Sequence, residues 1–67
     1  MAETFYRLCK RARKWPDSYG KTAKAFIAKK KMIFRLYPDN LFIQKEAVDE
    51  CTAKLIELER LMDMERS

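Results

Sequence analysis

The chain contains no histidine, a single glycine, two prolines and two cysteines. Without histidine it has neither the usual general base of hydrolases nor the commonest metal ligand. No Gly-rich loop or Gly-x-Ser-x-Gly elbow is present, so phosphate cradles and nucleophile elbows are excluded. The scarcity of glycine and proline rules out collagen and flexible linkers, and two cysteines in 67 residues do not make a disulfide scaffold. Cys9 and Cys51 stand 42 positions apart, too far to form a Cys-x-x-Cys pair; each falls on the apolar stripe of an expected helix, where a free thiol packs as a small apolar group. No apolar run approaches the roughly 18 residues that a membrane span needs. Met1-Ala2-Glu3 opens directly into a basic amphipathic pattern, which predicts no secretory leader.

What the sequence does have is helix-forming composition and charge, with 48% hydrophobic and 37% charged residues. Sixty-seven residues make one domain, expected to span 1–67. At this size the apolar burial on folding roughly cancels the ordering cost, which favours an oligomer or a partner. Charge is strongly divided. Residues 1–37 carry eleven Lys/Arg against two acidic residues, a net +9; residues 38–67 carry four against eight, a net −4, consistent with the overall +5. The basic part suits nucleic acid, an anionic membrane or an acidic protein, and part of it balances the acidic third helix.

Hydrophobic spacing divides the chain into three helices of about 3–14, 18–36 and 41–64. In the first, Phe5, Leu8, Cys9 and Ala12 draw one face and Arg7, Lys10, Arg11 and Lys14 the opposite one. Pro16 ends it by pushing Trp15 out of the helical region, and Asp17 or Ser18 is expected to cap the second helix. There, Tyr19, Ala23, Phe26, Ile27, Ile33 and Phe34 share one side. Lys30 falls inside that arc, either as a snorkelling chain, as the partner of a helix 3 carboxylate, or facing a partner molecule. Lys24, Lys31 and Arg35 add a basic edge. Tyr37-Pro38-Asp39-Asn40 is a turn, with Asp39 or Asn40 as cap. In the third helix Val48, Cys51, Leu55, Leu58 and Met62 step by three and four, while Phe42, Ile43, Ile56 and Leu61 lie off that line and hint at an external contact. The expected fold is all-α, an antiparallel three-helix bundle in which the basic edges of helices 1 and 2 form a cationic groove.

Thr4-Phe5-Tyr6-Arg7 at the start of helix 1, the basic stretch Arg11-Ala12-Arg13-Lys14-Trp15 at its end, and Lys29-Lys30-Lys31 leading to Phe34-Arg35, 28 residues after Tyr6, together resemble the LYR-motif family of small mitochondrial proteins. The match runs from about Thr4 to Met62, with Phe5 in place of the family leucine and Lys30 where an apolar residue is common. The resemblance implies a non-catalytic adaptor that binds mitochondrial acyl carrier protein and docks it on a larger assembly: a respiratory complex, the mitochondrial ribosome or the iron-sulfur assembly machinery. It places the chain in the mitochondrial matrix or on the matrix side of the inner membrane, with the basic first helix as an uncleaved targeting element.

By the same resemblance, Tyr6, Arg7, Lys31, Phe34 and Arg35 face the carrier, with Lys10 on the same basic face. Such a carrier is acidic and bears a phosphate, which suits charge-assisted contacts. Phe5, Leu8, Cys9, Phe26, Ile27, Leu55 and Leu58 are the residues to line a slot for its acyl chain, or else to pack on one another. No cofactor is expected to bind directly; acylated 4′-phosphopantetheine comes with the carrier. No catalytic residue and no metal site is expected. The competing reading is a basic three-helix nucleic-acid-binding module that places Arg7, Lys10, Arg11, Lys14 and Lys29 to Lys31 on phosphates.

Overall fold

The computed structural model describes residues 2–66, with side chains from 5 to 65; the side chains of Glu3 and Thr4 lie outside the described ones. The protein is an all-α three-helix bundle, with α1 over Ala2–Ala12, α2 over Asp17–Leu36 and α3 over Leu41–Arg66.

Backbone chemistry sets the breaks. After α1 the ladder tightens, Lys14 N–H donating to the Arg11 carbonyl at 3.0 Å and Trp15 N–H to that of Ala12 at 3.2 Å. Helix 1 therefore stops at Ala12, two residues before the expected Lys14. The cap of α2 also differs from expectation. Pro16 (φ −54°, ψ 152°) occupies that position with no side-chain bond, and Asp17 is already helical. A proline needs no partner for its nitrogen, and its fixed φ starts the helix while its carbonyl accepts from Gly20 N–H at 2.8 Å. The acidic Asp17 then lies in the first turn, favourable toward the helix dipole.

The second turn is pinned by side chains. Tyr37 N–H makes the last bond of α2, to the Ile33 carbonyl at 2.9 Å, before Pro38 interrupts the ladder. Asn40 caps α3, its Oδ1 accepting from Ile43 N–H at 3.1 Å, as expected of one of the two candidate caps. Gln44 reaches back and donates its amide to the carbonyls of Tyr37 at 2.8 Å and Pro38 at 3.0 Å.

The core forms where the helices converge. Leu8 and Leu55 are fully buried, surrounded by Phe5, Ala12, Ala23 and Cys51. The small side chains of Ala12 and Ala23 are buried in this core, while Leu8 and Leu55 fill the space between the helices. On α3, Cys51, Leu55 and Met62 are buried and Val48 and Leu58 half-buried, so the three-and-four line faces inward as expected. Contacts run in opposite senses along α2 and α3: Tyr19 in the first turn of α2 donates to Glu65 in the last turns of α3, and Lys29 pairs with Glu50 at 3.9 Å further along.

The apolar stripe of α2 is less enclosed than its spacing suggests. Only Ala23 is buried, and Tyr19, Phe26, Ile27, Ile33 and Phe34 are half-buried. The reason is length. At 1.5 Å per residue α1 spans about 16 Å, against about 30 Å for α2 and about 39 Å for α3. The bundle measures 43 × 20 × 15 Å, and long stretches of α2 and α3 pack only on each other. Among the described residues, no helix is long and apolar enough to cross a membrane, and no polar or charged side chain is buried.

Candidate functional site: a cationic cleft between the first two helices

Residues of α1, of the turn after it and of α2 line an open cleft of about 690 Å³. That falls within the roughly 300–1,000 Å³ of small-molecule sites. Its apolar floor consists of Phe5, Cys9, Ala12, Ala23 and Ile27, and Trp15 closes one end. Cations also line it: Arg13 from the turn after α1, and Lys21, Lys24 and Lys31 from α2. Asp17 is the one carboxylate that lines it.

Helical spacing explains the α2 cations. Lys21, Lys24, Lys31 and Arg35, with Ala28 between, step by three and four, which sets them in one row along α2. The ion pairs of the described residues, Arg11 Nε to Glu59 at 3.1 Å and Lys29 and Lys54 to Glu50, involve none of these cations. Four like charges in a row raise the local positive potential over a low-dielectric floor.

Lys30 adopts none of the three expected roles in pure form. Its Nζ lies 5.1 Å from the centre of the Phe5 ring and 5.0 Å from that of Phe34, half-buried between helices. Two aromatic faces replace a carboxylate as its partner, a contact worth about 0.5–2 kcal/mol. Its position there also bridges α1 to α2 and sets a positive charge inside the cleft. Phe5 in turn meets Tyr6 edge to face, with centroids 6.1 Å apart.

The Cys9 thiol lines the same cleft. Burial pushes its pKa above the ordinary value of 9.0, with Lys30, Arg13 and Lys31 opposing in part. Cys51, behind it in the core, is raised chiefly by burial as well. Both thiols therefore stay protonated at neutral pH and are poor nucleophiles. Among the described residues no group of three His, Cys, Asp or Glu is placed to hold a metal ion. The arrangement offers charge and apolar surface, the requirements for binding an elongated anionic amphiphile.

The sequence-derived site residues divide between several places. Tyr6 and Lys31 line the cleft, together with Phe5, Cys9 and Ile27 from the acyl-slot set. Leu8 and Leu55 are fully buried and pack on each other's neighbours in the core. Phe26 and Leu58 lie away from the cleft, at a shallow hollow shared with Lys54, Glu57 and Leu61. Arg7, Lys10 and Arg35 are exposed, and Phe34 is half-buried under Lys30. Arg13, Trp15, Lys21 and Lys24 were not among the site candidates, yet they line the cleft. For the two lysines the signal was the three-and-four row continuing through Lys31 to Arg35; for Arg13 there was none, because its direction is set by the turn after Ala12. No protein-family model, no curated protein and no solved structure matches this chain.

Proposed function

We propose that the chain is a non-catalytic adaptor of the LYR type that binds an acyl carrier protein and anchors it to a larger mitochondrial assembly. A respiratory complex, the mitochondrial ribosome and the iron-sulfur assembly machinery are the candidate clients, in the matrix or on the matrix side of the inner membrane. One observation carries the reading: an apolar cleft of about 690 Å³ whose lining is rich in cations and contains a single carboxylate. An acidic carrier with a phosphate-bearing arm and a fatty acyl chain presents the complementary features in the same order. Its carboxylates and phosphate meet Arg13, Lys21, Lys24 and Lys31, and the acyl chain lies over Phe5, Cys9 and Ile27. Burying about eight methylenes contributes on the order of 6 kcal/mol before ordering costs. Because Leu8 and Leu55 are already packed, the acyl chain follows the cleft and does not enter between the three helices. The 4′-phosphopantetheine arrives with the carrier.

The unpaired row of cations also supports a second reading, a module that grips nucleic-acid phosphates. The two differ in salt dependence and in the role of the floor. Phosphate gripping weakens with a log-log salt slope of about −0.9 per duplex phosphate and is indifferent to Ile27.

The test is co-expression in a bacterium that supplies its own acyl carrier protein, followed by native mass spectrometry of the gently purified chain. The expected result is a one-to-one complex whose carrier bears phosphopantetheine and a long acyl group. It should be lost in Lys24→Glu/Lys31→Glu at moderate salt and weakened in Ile27→Asp. A chain that emerges alone, or with nucleic acid that salt removes, refutes the adaptor reading.

A further inference from the structure

Charge is unevenly spread along the cleft, and this gives the site a direction. One end is fixed by Lys30, whose ammonium lies 5.1 Å from the centre of the Phe5 ring. The other end is the turn after α1, where Gly20 N–H donates to the Pro16 carbonyl and Trp15 and Asp17 line the wall. Gly20 and Lys30 are ten residues apart, which is about 15 Å along α2. At the Phe5 end Lys30 and Lys31 bring two ammoniums and the lining includes no carboxylate; at the turn end Asp17, the one carboxylate, stands with Arg13 and Lys21. An anionic group is therefore drawn to the Phe5 end, with Lys24 between the two.

The cations at that end are available. Neither Lys30 nor Lys31 belongs to an ion pair of the described residues. The rings of Phe5 and Phe34 hold the Lys30 ammonium without supplying a carboxylate, so its N–H donors remain for an acceptor. Between the ends the floor of Cys9, Ala12, Ala23 and Ile27 bears no charge, since burial keeps the Cys9 thiol protonated at neutral pH. The tail end is roomy. A Cβ at Gly20 would meet only the Trp15 carbonyl oxygen, at 3.8 Å.

The geometry points to direct binding, in this cleft, of a free single-chain amphiphile with an anionic head, its carboxylate or phosphate at Lys30 and Lys31 and its tail laid over Ile27 and Ala23 to end against Trp15. A polyanion leaves this floor unused and meets Asp17, and an uncharged lipid leaves the two ammoniums without an acceptor. The inference rests on the reading of the cleft as an acyl site, but it needs no carrier. A free acyl anion takes the floor that a carrier-borne chain would occupy, so the two exclude each other.

Trp15 is the one tryptophan of the chain, and its fluorescence reports the tail end directly. The isolated full chain is titrated with dodecanoate, dodecyl phosphate and dodecanol, each below the concentration at which it aggregates. At least one anion should saturate the emission at one ligand per chain and bind at least about tenfold more tightly than dodecanol, which has the tail without the charge. The tighter of the two anions names the head, carboxylate or phosphate, and either upholds the proposal. Lys31→Glu, at an exposed position, should weaken the anions at least about tenfold, leave dodecanol unchanged and keep the helical circular dichroism. Direction is read on the wild-type chain, whatever the variant does to folding: dodecanoate brominated at the tail end should quench Trp15 more strongly than dodecanoate brominated beside the carboxylate. Absence of saturable binding, equal affinity for dodecanol, anion binding indifferent to Lys31→Glu, or equal or reversed quenching overturns the proposal. A carrier complex that forms while the free anions fail to bind refutes this inference alone; free anions that bind while no carrier complex forms refute the adaptor reading alone.

Discussion

Leu55→Ala is the most demanding test of the core. Leu55 is 0% exposed and stands where all three helices meet, against Leu8, Phe5 and Ala23. Removing three carbons forfeits about 2.4 kcal/mol of transfer free energy at about 0.8 kcal/mol each. The residual cavity adds to that, for a total of about 3–5 kcal/mol. At about 0.05–0.15 kcal/mol per residue, the whole chain has about 3–10 kcal/mol to lose. One truncation therefore removes a third or more of the stability and unfolds the chain at the lower limit. The neighbouring residue provides the control. Ile56 is 48% exposed, about 100° round the helix from Leu55, and Ile56→Ala regains some helix propensity, so its net cost should be below about 1 kcal/mol. Urea titration followed by far-ultraviolet circular dichroism measures both. A cost below about 1 kcal/mol for Leu55→Ala, or equal costs for the pair, would refute the assignment of the α3 face that meets α1 and α2.

Gly20 has ordinary helical backbone geometry, and a Cβ placed there meets only the Trp15 carbonyl oxygen, at 3.8 Å. Gly20→Ala should therefore stabilise the fold by about 0.4–1 kcal/mol, seen as a higher urea midpoint; a lower midpoint would show that the cleft end is tighter than its geometry. The two thiols make stability depend on alkaline pH. Both pKa values are raised above 9.0 by burial, so the folded state holds its protons more tightly than the unfolded chain. Their contribution is complete below about pH 9 and is lost as pH rises through the higher folded values. Wild type should lose more stability than Cys9→Ala/Cys51→Ala between about pH 8 and pH 10, and coincident pH profiles would refute it. Tyr19, whose phenol is raised mainly by its hydrogen bond to Glu65, is common to both chains and cancels.

Helices and breaks were legible because their causes are local. Pro16 and Pro38 remove donors, Asn40 caps, and the three-and-four line of Val48, Cys51, Leu55, Leu58 and Met62 faces inward wherever a partner helix exists. The cap of α2 was misassigned to Asp17 or Ser18 because a side-chain oxygen was sought where a proline needed none. The acyl-slot set was too broad for a related reason. Phe5, Leu8, Cys9, Phe26, Ile27, Leu55 and Leu58 all read as apolar and inward, but spacing along a helix does not tell core from cleft. Leu8 and Leu55 became core, and Phe26 and Leu58 pack at its edge, outside the cleft.

By itself the sequence determined an all-α chain of three helices, their breaks, the division of charge and the inward line of α3, since these follow from residue-by-residue preferences and periodicity. Tertiary structure decided the rest. A short α1 against two longer helices leaves a cleft on one side and an uncovered end beyond it. Lys30 has Phe34 beside it one turn along its own helix, but it meets the Phe5 ring because the fold brings α1 against α2. Each is a matter of relative helix length and of contacts between residues far apart in the chain, which no local pattern encodes.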